Sequence, residues 1–303
     1  MSETDYVDAH FHMWDLQKFD YLWPNTDTRH LFRNFGPRDV LNSMKTTPVQ
    51  HGIFIQVLNN NVDETKWVLE EAQKHTFIKG VVGGIDLTSL HLEATLDELQ
   101  MNPLFKGVRH ILDLEDSTWL TRSEVHAGLG ILQERGLTFD LLLRPPLLTH
   151  LPDLGRKFPR LRMIIDHIAK PYIKDQILSP WKEEMAEAAK FPNIYCKISG
   201  LVTEANLKKW TKEDIKPYVQ HVLECFGVDH CVFGSDFPVF KEANAEYRDI
   251  YKLLLDLLID QVADDNVSCS RRCSEADVTS PQASCPRCLE KKRKWLPPVS
   301  RNY

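Results

Sequence analysis

The stretch Tyr-Val-Asp-Ala-His-Phe-His-Met-Trp-Asp, residues 6–15, decides how the rest of this 303-residue chain is read. Tyr6 to His12 has the composition of a strand. Successive strand side chains point to opposite faces, so Asp8, His10 and His12 are expected to share one face. No glycine-rich phosphate loop follows this strand, which argues against an open dinucleotide-binding sheet. Two imidazoles at its C-terminal end suit the rim of a closed barrel, where (β/α)8 proteins build their sites. Taken alone, the pair serves equally well as a solvent-facing strand end.

Working outward, seven further strand-like runs follow: Gly52 to Leu58, Lys79 to Ile85, Lys106 to Leu112, Thr138 to Leu143, Arg162 to His167, Asn193 to Ser199 and His230 to Ser235. Helical patterns separate several of them, over Asp63 to His75, Ser123 to Arg135, Pro180 to Lys190, Thr211 to Phe226 and Asn244 to Val262. Gly136 and Gly227 are natural stop residues for two of these, and Pro217 is expected to break the fourth or mark its true start. Strands joined by long helical returns pair in parallel, and runs apolar on both faces, such as Phe54 to Leu58, fit a sheet covered by helices. The expectation is an α/β fold, a (β/α)8 TIM barrel over residues 1–263, followed by an irregular, cysteine-rich tail over 264–303.

The net charge of −6 gives no basic footprint for nucleic acid. No apolar run approaches the ~20 residues that span a bilayer, and the N-terminus carries no secretory pattern, so no membrane partner and a cytoplasmic location are expected. Of seven cysteines, Cys196 and Cys231 lie in strand-like runs and read as small buried hydrophobes. Four sit in the tail as C-x3-C and C-x2-C pairs. Four thiolates can hold zinc, but no hairpin knuckle surrounds these pairs, and no zinc role is assigned to them.

Chemistry concentrates at strand ends. The fourth run carries Arg109 and His110, the sixth ends in Asp166-His167, the seventh in Lys197-Ile198-Ser199-Gly200, and the eighth in Gly234-Ser235-Asp236-Phe237-Pro238. Ionisable groups are excluded from a packed barrel unless paired, and their repeated arrival at C-terminal strand ends is what a shared mouth produces.

The ordered motifs V-D-A-H-F-H-M-W-D, F-K-G-V-R-H-I-L, D-H-I-A-K-P, K-I-S-G-L and G-S-D-F-P resemble the amidohydrolase-2 family, in particular its sugar-lactonase (fuconolactonase-like) branch. The likeness runs from Asp5 to about Asp260 and includes Tyr21-Leu22-Trp23-Pro24. It implies a hydrolase opening the lactone of a small sugar acid, with Asp236 as general base on water and His167 and Arg109 as the other catalytic groups. His10, His12 and Asp236 are the implied ligands of a single divalent ion, zinc first, although the branch also resembles enzymes that work without metal. A two-metal centre is not expected, because the fourth run offers Arg109 and the fifth offers Asp140, Arg144 and Pro145 in place of the bridging and histidine ligands. Trp14, Tyr21, Trp23, His110, Lys170 and Lys197 are candidate substrate contacts, the three aromatics serving equally as cap residues over the mouth. The rival readings are a non-oxidative decarboxylase of the same superfamily and a catalytically silent isoform or scaffold. The latter is motivated by the tail that replaces the family's usual terminal segment. The oligomeric state is left open.

Overall fold

The computed structural model describes residues 6–260. Eight strands, β1 (Tyr6–Phe11), β2 (Val49–Ile55), β3 (Ile78–Gly83), β4 (Phe105–Ile111), β5 (Thr138–Leu142), β6 (Met163–Ile165), β7 (Ile194–Ile198) and β8 (Cys231–Phe233), pair in sequential order, each parallel to the next. The ring closes between β8 and β1. Phe11 bridges Phe237, the His12 N–H donates to the Phe237 carbonyl at 2.7 Å, and the Asp236 N–H donates to the His10 carbonyl at 2.8 Å. This is the (β/α)8 barrel that the strand pattern predicts, and each expected run overlaps a strand, β2 starting three residues earlier than expected. The tail at 264–303, its cysteines included, lies outside the described residues.

Helices coat the outside. Val62–Lys74 starts on Asn61, whose side chain accepts the Glu64 N–H, and Lys212–Phe226 starts on a Thr211–Asp214 capping box. Pro217 neither breaks nor starts the latter helix; it lies inside it. The proline removes one donor, but it sits on the exposed side, where the Glu213 carbonyl left behind can be hydrated. Beyond Val239–Ala243, a short 3-10 turn, the chain is helical from 247 to the end of the described residues at 260.

The main core lies between strands and helices. A separate small group, Ile53, Ile55 and Val82 with Val7 against it, fills the interior beside the first three strands. Above it the interior is polar, which concentrates chemistry at the C-terminal mouth.

Asp8 does not share a face with His10 and His12. The β1–β2 register shifts between Asp8 and Phe11. Asp8 accepts the His10 N–H at 3.0 Å and the Ser235 N–H at 2.8 Å, as well as the Ser235 hydroxyl and, at 2.9 Å, the Tyr247 hydroxyl from the outer helix. The shifted strand spends this aspartate on stitching β8 to β1, and leaves the two histidines to turn inward.

Candidate active site

His10 and His12 from β1 meet His167 from the end of β6 and Asp236 from the end of β8. Asp236 Oδ1 lies 3.7 Å from His10 Nε2, 3.4 Å from His12 Nε2 and 3.8 Å from His167 Nε2. The two β1 imidazoles face each other, Nε2 to Nε2, at 3.1 Å. All four side chains are buried, exposing 5% or less.

The local backbone makes this meeting possible. Residues 167–170 (His167, Ile168, Ala169, Lys170) all have positive φ, and so does Asp236, at 60°. Left-handed non-glycine residues cost roughly 1–2 kcal/mol each, so the surrounding structure must hold them. Gly200 also has a φ of +60°, and a Cβ there would stand 2.5 Å from His167 Nδ1. A Cβ at Gly234 would stand 2.6 Å from that of His10. These two glycines leave the room that the imidazoles occupy. The Ser199 hydroxyl, 2.8 Å from His167 Nδ1, fixes the ring from behind.

Behind this face lies an ionic network. Asp166 Oδ2 pairs with Arg109 at 3.2 Å, and its Oδ1 lies 3.0 Å from Lys197 Nζ and 3.4 Å from His10 Nδ1. Lys197, fully buried, also donates to Asp140 and lies 3.3 Å from His10 Nδ1. Arg109 further donates to the Gln56 carbonyl and, at 3.3 Å, to Gln56 Oε1. Its Nε has no partner.

Burial favours neutral imidazoles. It holds His10 well below the ordinary histidine value, lowers His12, and brings His167 to about 4. Burial pushes the Asp236 carboxyl upward, but His167, His12 and His10 together outweigh it and hold the group well below the usual carboxylate range. The same contest at Asp166 is won by Lys197, His10 and Arg109, which also keep it low.

These states bear on a metal ion. His12 Nδ1 lies 2.7 Å from the Ile55 carbonyl, which only accepts, so the Nδ1 carries the proton and the Nε2 of a neutral ring is bare. That nitrogen lies 3.4 Å from Asp236 Oδ1 and 3.1 Å from His10 Nε2. Two acceptors so placed fit a shared cation. Two overlapping sets have their ligand atoms within 4.8 Å of one another, His10–His12–Asp236 and His10–Asp166–His167. The first fits better, because Asp166 already carries Arg109 and Lys197.

The other sequence candidates lie apart from the four. His110 follows Arg109 directly and therefore takes the opposite side of β4, where it stacks on Trp119 and meets Glu115 at 2.8 Å. Lys170 sits at the rim, 3.4 Å from Asp113, near enough for its charge to bear on His167. Trp14 is a core residue, bridged to Phe35, with its indole N–H donating to the Arg33 carbonyl at 2.7 Å. Trp23 packs edge-on against it and is partly exposed. Tyr21 is half-buried on the same long loop. Cys196 is buried and faces Cys231 across the β7–β8 ladder, and burial pushes the Cys231 thiol up to about 12, in keeping with packing roles.

Sequence reasoning missed two members. Asp166 was visible only as the neighbour of His167, and Asp140 only as a residue in a metal ligand's usual place. An acid inside the otherwise apolar run Thr138 to Leu143 is itself a signal that a buried cation waits opposite.

A model of the amidohydrolase family matches residues 7–275. An L-fucono-1,5-lactonase of Burkholderia ambifaria is 35% identical over 78% of this chain and 81% of its own length. Another protein of that name, from Burkholderia multivorans, is 28% identical over 82% and 86%. The solved structure of a Burkholderia multivorans amidohydrolase with bound zinc superposes with a TM-score of 0.79, at 27% identity over 84% of this chain and 92% of that one. Motifs, barrel, strand-end site and these likenesses converge, and the chain belongs to the amidohydrolase family, as a hydrolase of its amidohydrolase-2 branch.

Proposed function

We propose that this chain opens the lactone ring of a small sugar acid by adding water to its ester carbon. The observation that carries this reading is the approach of three imidazoles to one carboxylate oxygen, Asp236 Oδ1, within 3.8 Å. The fuconolactonase relatives supply the substrate class.

Asp236, ionised, takes a proton from water as the water oxygen bonds to the carbonyl carbon. The ring C–O bond then breaks, and the proton passes from Asp236 to the departing ring oxygen, giving the open hydroxy acid. With the Ser199 hydroxyl donating to His167 Nδ1, the His167 Nε2–H faces the developing oxyanion. The Arg109 Nε–H, without a hydrogen-bond partner, is the second donor for that oxygen. Enclosure of these donors away from bulk water strengthens both. Tyr21 and Lys170, at the rim, touch the substrate. Trp14, His110 and Lys197, with no exposed face, act by positioning; Trp23 caps the mouth. One divalent ion, zinc first by analogy with the Burkholderia structure, would be held by His10, His12 and Asp236 and would supply a Lewis acid for the carbonyl.

A pH-indicator screen of sugar lactones, with and without chelator, on wild type and Asp236→Asn tests this. Lactone opening by the wild type and none by the folded variant is the expected result. Full turnover by Asp236→Asn would refute the base. Turnover unchanged by chelator would assign the reaction to the side chains alone. Carbon dioxide release from aromatic acids, with no lactone opened, would replace hydrolysis by decarboxylation.

A further inference from the structure

Asp236 sits on a turn that is gripped on both flanks. Before it, the Ser235 N–H donates to Asp8 Oδ1 at 2.8 Å; after it, the Phe237 N–H donates to the Ser235 hydroxyl oxygen at 3.0 Å. That hydroxyl in turn donates to Asp8 Oδ2. Between these holds Asp236 keeps its positive φ, with its N–H on the His10 carbonyl and its own carbonyl accepting the Val239 N–H, both at 2.8 Å. Asp8 Oδ1 also accepts the His10 N–H at 3.0 Å. One carboxylate therefore holds the backbone of His10 and the backbone next to Asp236. Its remaining bond comes from the Tyr247 hydroxyl, 2.9 Å from Oδ2. With it Asp8 accepts four hydrogen bonds, one for each lone-pair position of a carboxylate.

Asp8, Ser235 and Tyr247 each expose 1% or less, so they act through neighbours and not on a substrate. Tyr247 opens the helix that runs from 247 to 260. Resting on the assignment of Asp236 as base, we propose that Asp8, Ser235 and Tyr247 are positioning residues for it. Through the Tyr247 hydroxyl, the last described helix becomes part of the catalytic apparatus: it fixes the Asp8 carboxylate, which sets where Asp236 stands relative to His10. Asp236 Oδ1 has to meet three imidazoles at once, and a displacement of about 1 Å can cost ~10²-fold in rate.

The test combines steady-state opening of a sugar lactone with amide hydrogen exchange, both well below the melting temperature of each variant. Tyr247→Phe keeps the ring and removes only the bond to Asp8. It is expected to lower kcat about tenfold with KM nearly unchanged, and to speed exchange at His10 and at residues 235–237 while the rest of the sheet stays protected. Ser235→Ala should do the same, and the double variant should lose less than the product of the two, because both act through Asp8. Tyr251→Phe is the control: it removes a hydroxyl from the same helix, on a ring that packs against Phe233, and should leave kcat unchanged. Full kcat in Tyr247→Phe, an equal loss in Tyr251→Phe, or unchanged exchange at residues 235–237 would overturn the proposal. If the wild type opens no lactone, the lactone reading falls, and faster exchange at residues 235–237 in Tyr247→Phe alone still upholds the hold on Asp236.

Discussion

Two sides of the barrel interior are built on opposite electrostatic plans. Arg109, Asp166, Lys197 and Asp140, from β4, the end of β6, β7 and β5, satisfy one another as opposite charges. His10, His12, His167 and Asp236 gather three imidazoles around one carboxylate oxygen, and touch the first group only where Lys197 and Arg109 approach His10. The contrast separates architecture from chemistry. A network of paired opposite charges holds shape, whereas imidazoles that burial keeps neutral around one carboxylate are poised for a water proton, a metal ion or a developing oxyanion.

The sharpest way to break this division is Asp236→Asn. It should cost about 10⁴-fold in kcat, ~5 kcal/mol of barrier, with the circular dichroism spectrum unchanged. A loss of folding in its place would mean that Asp236 belongs to the architecture. Lys197→Met is the mirror experiment. It strands Asp140 and Asp166 without their shared cation and should destabilise the protein by ~3–5 kcal/mol. The pair Lys197→Met with Asp140→Leu should recover part of that loss in urea unfolding, as neighbours in one network do. Additive losses would show that the two do not act as a unit.

Acid titration sharpens the comparison because the two sides carry opposite signs. His167, at about 4 in the folded protein against an ordinary value near 6.5, binds fewer protons folded than unfolded between those values. Its contribution is complete above pH 6.5 and is lost as pH falls, by on the order of 3 kcal/mol at pH 4. Asp140, pushed upward by burial despite Lys197, binds more protons folded than unfolded just above the ordinary aspartate value, and so opposes that slope. In chelator-treated protein, Asp140→Asn should therefore lose stability on acidification more steeply than wild type. A shallower slope would reverse the assignment. The smallest effect is expected at Gly200→Ala. Strain at a positive φ and a Cβ against His167 should cost ~1–3 kcal/mol and displace the ring, seen as a lower kcat with nearly unchanged KM.

How much of this was written in the residue order varies with the kind of signal. The eight strands were legible because each combines β-rich composition with a polar terminus, and the four reactive side chains were legible because they stand at those termini. Asp8 was assigned to the wrong face because alternation holds only while register does, and the ladder shifts beside it. Pro217 misled because a helix loses a single donor there, on its exposed side. Nothing in the order of Asp166 to Lys170 announces a left-handed turn of four non-glycine residues; that conformation is imposed by packing around it.

The Asp8 stitch has a consequence for how activity arises. Its partner Ser235 lies 227 residues away, one position before the proposed base, and His10 lies two positions after Asp8. Joining the first and last staves of the barrel therefore assembles the reactive centre in the same event. Refolding intermediates rich in helix and sheet but still open at that joint should be inert, and regained turnover should time the final closure of the ring.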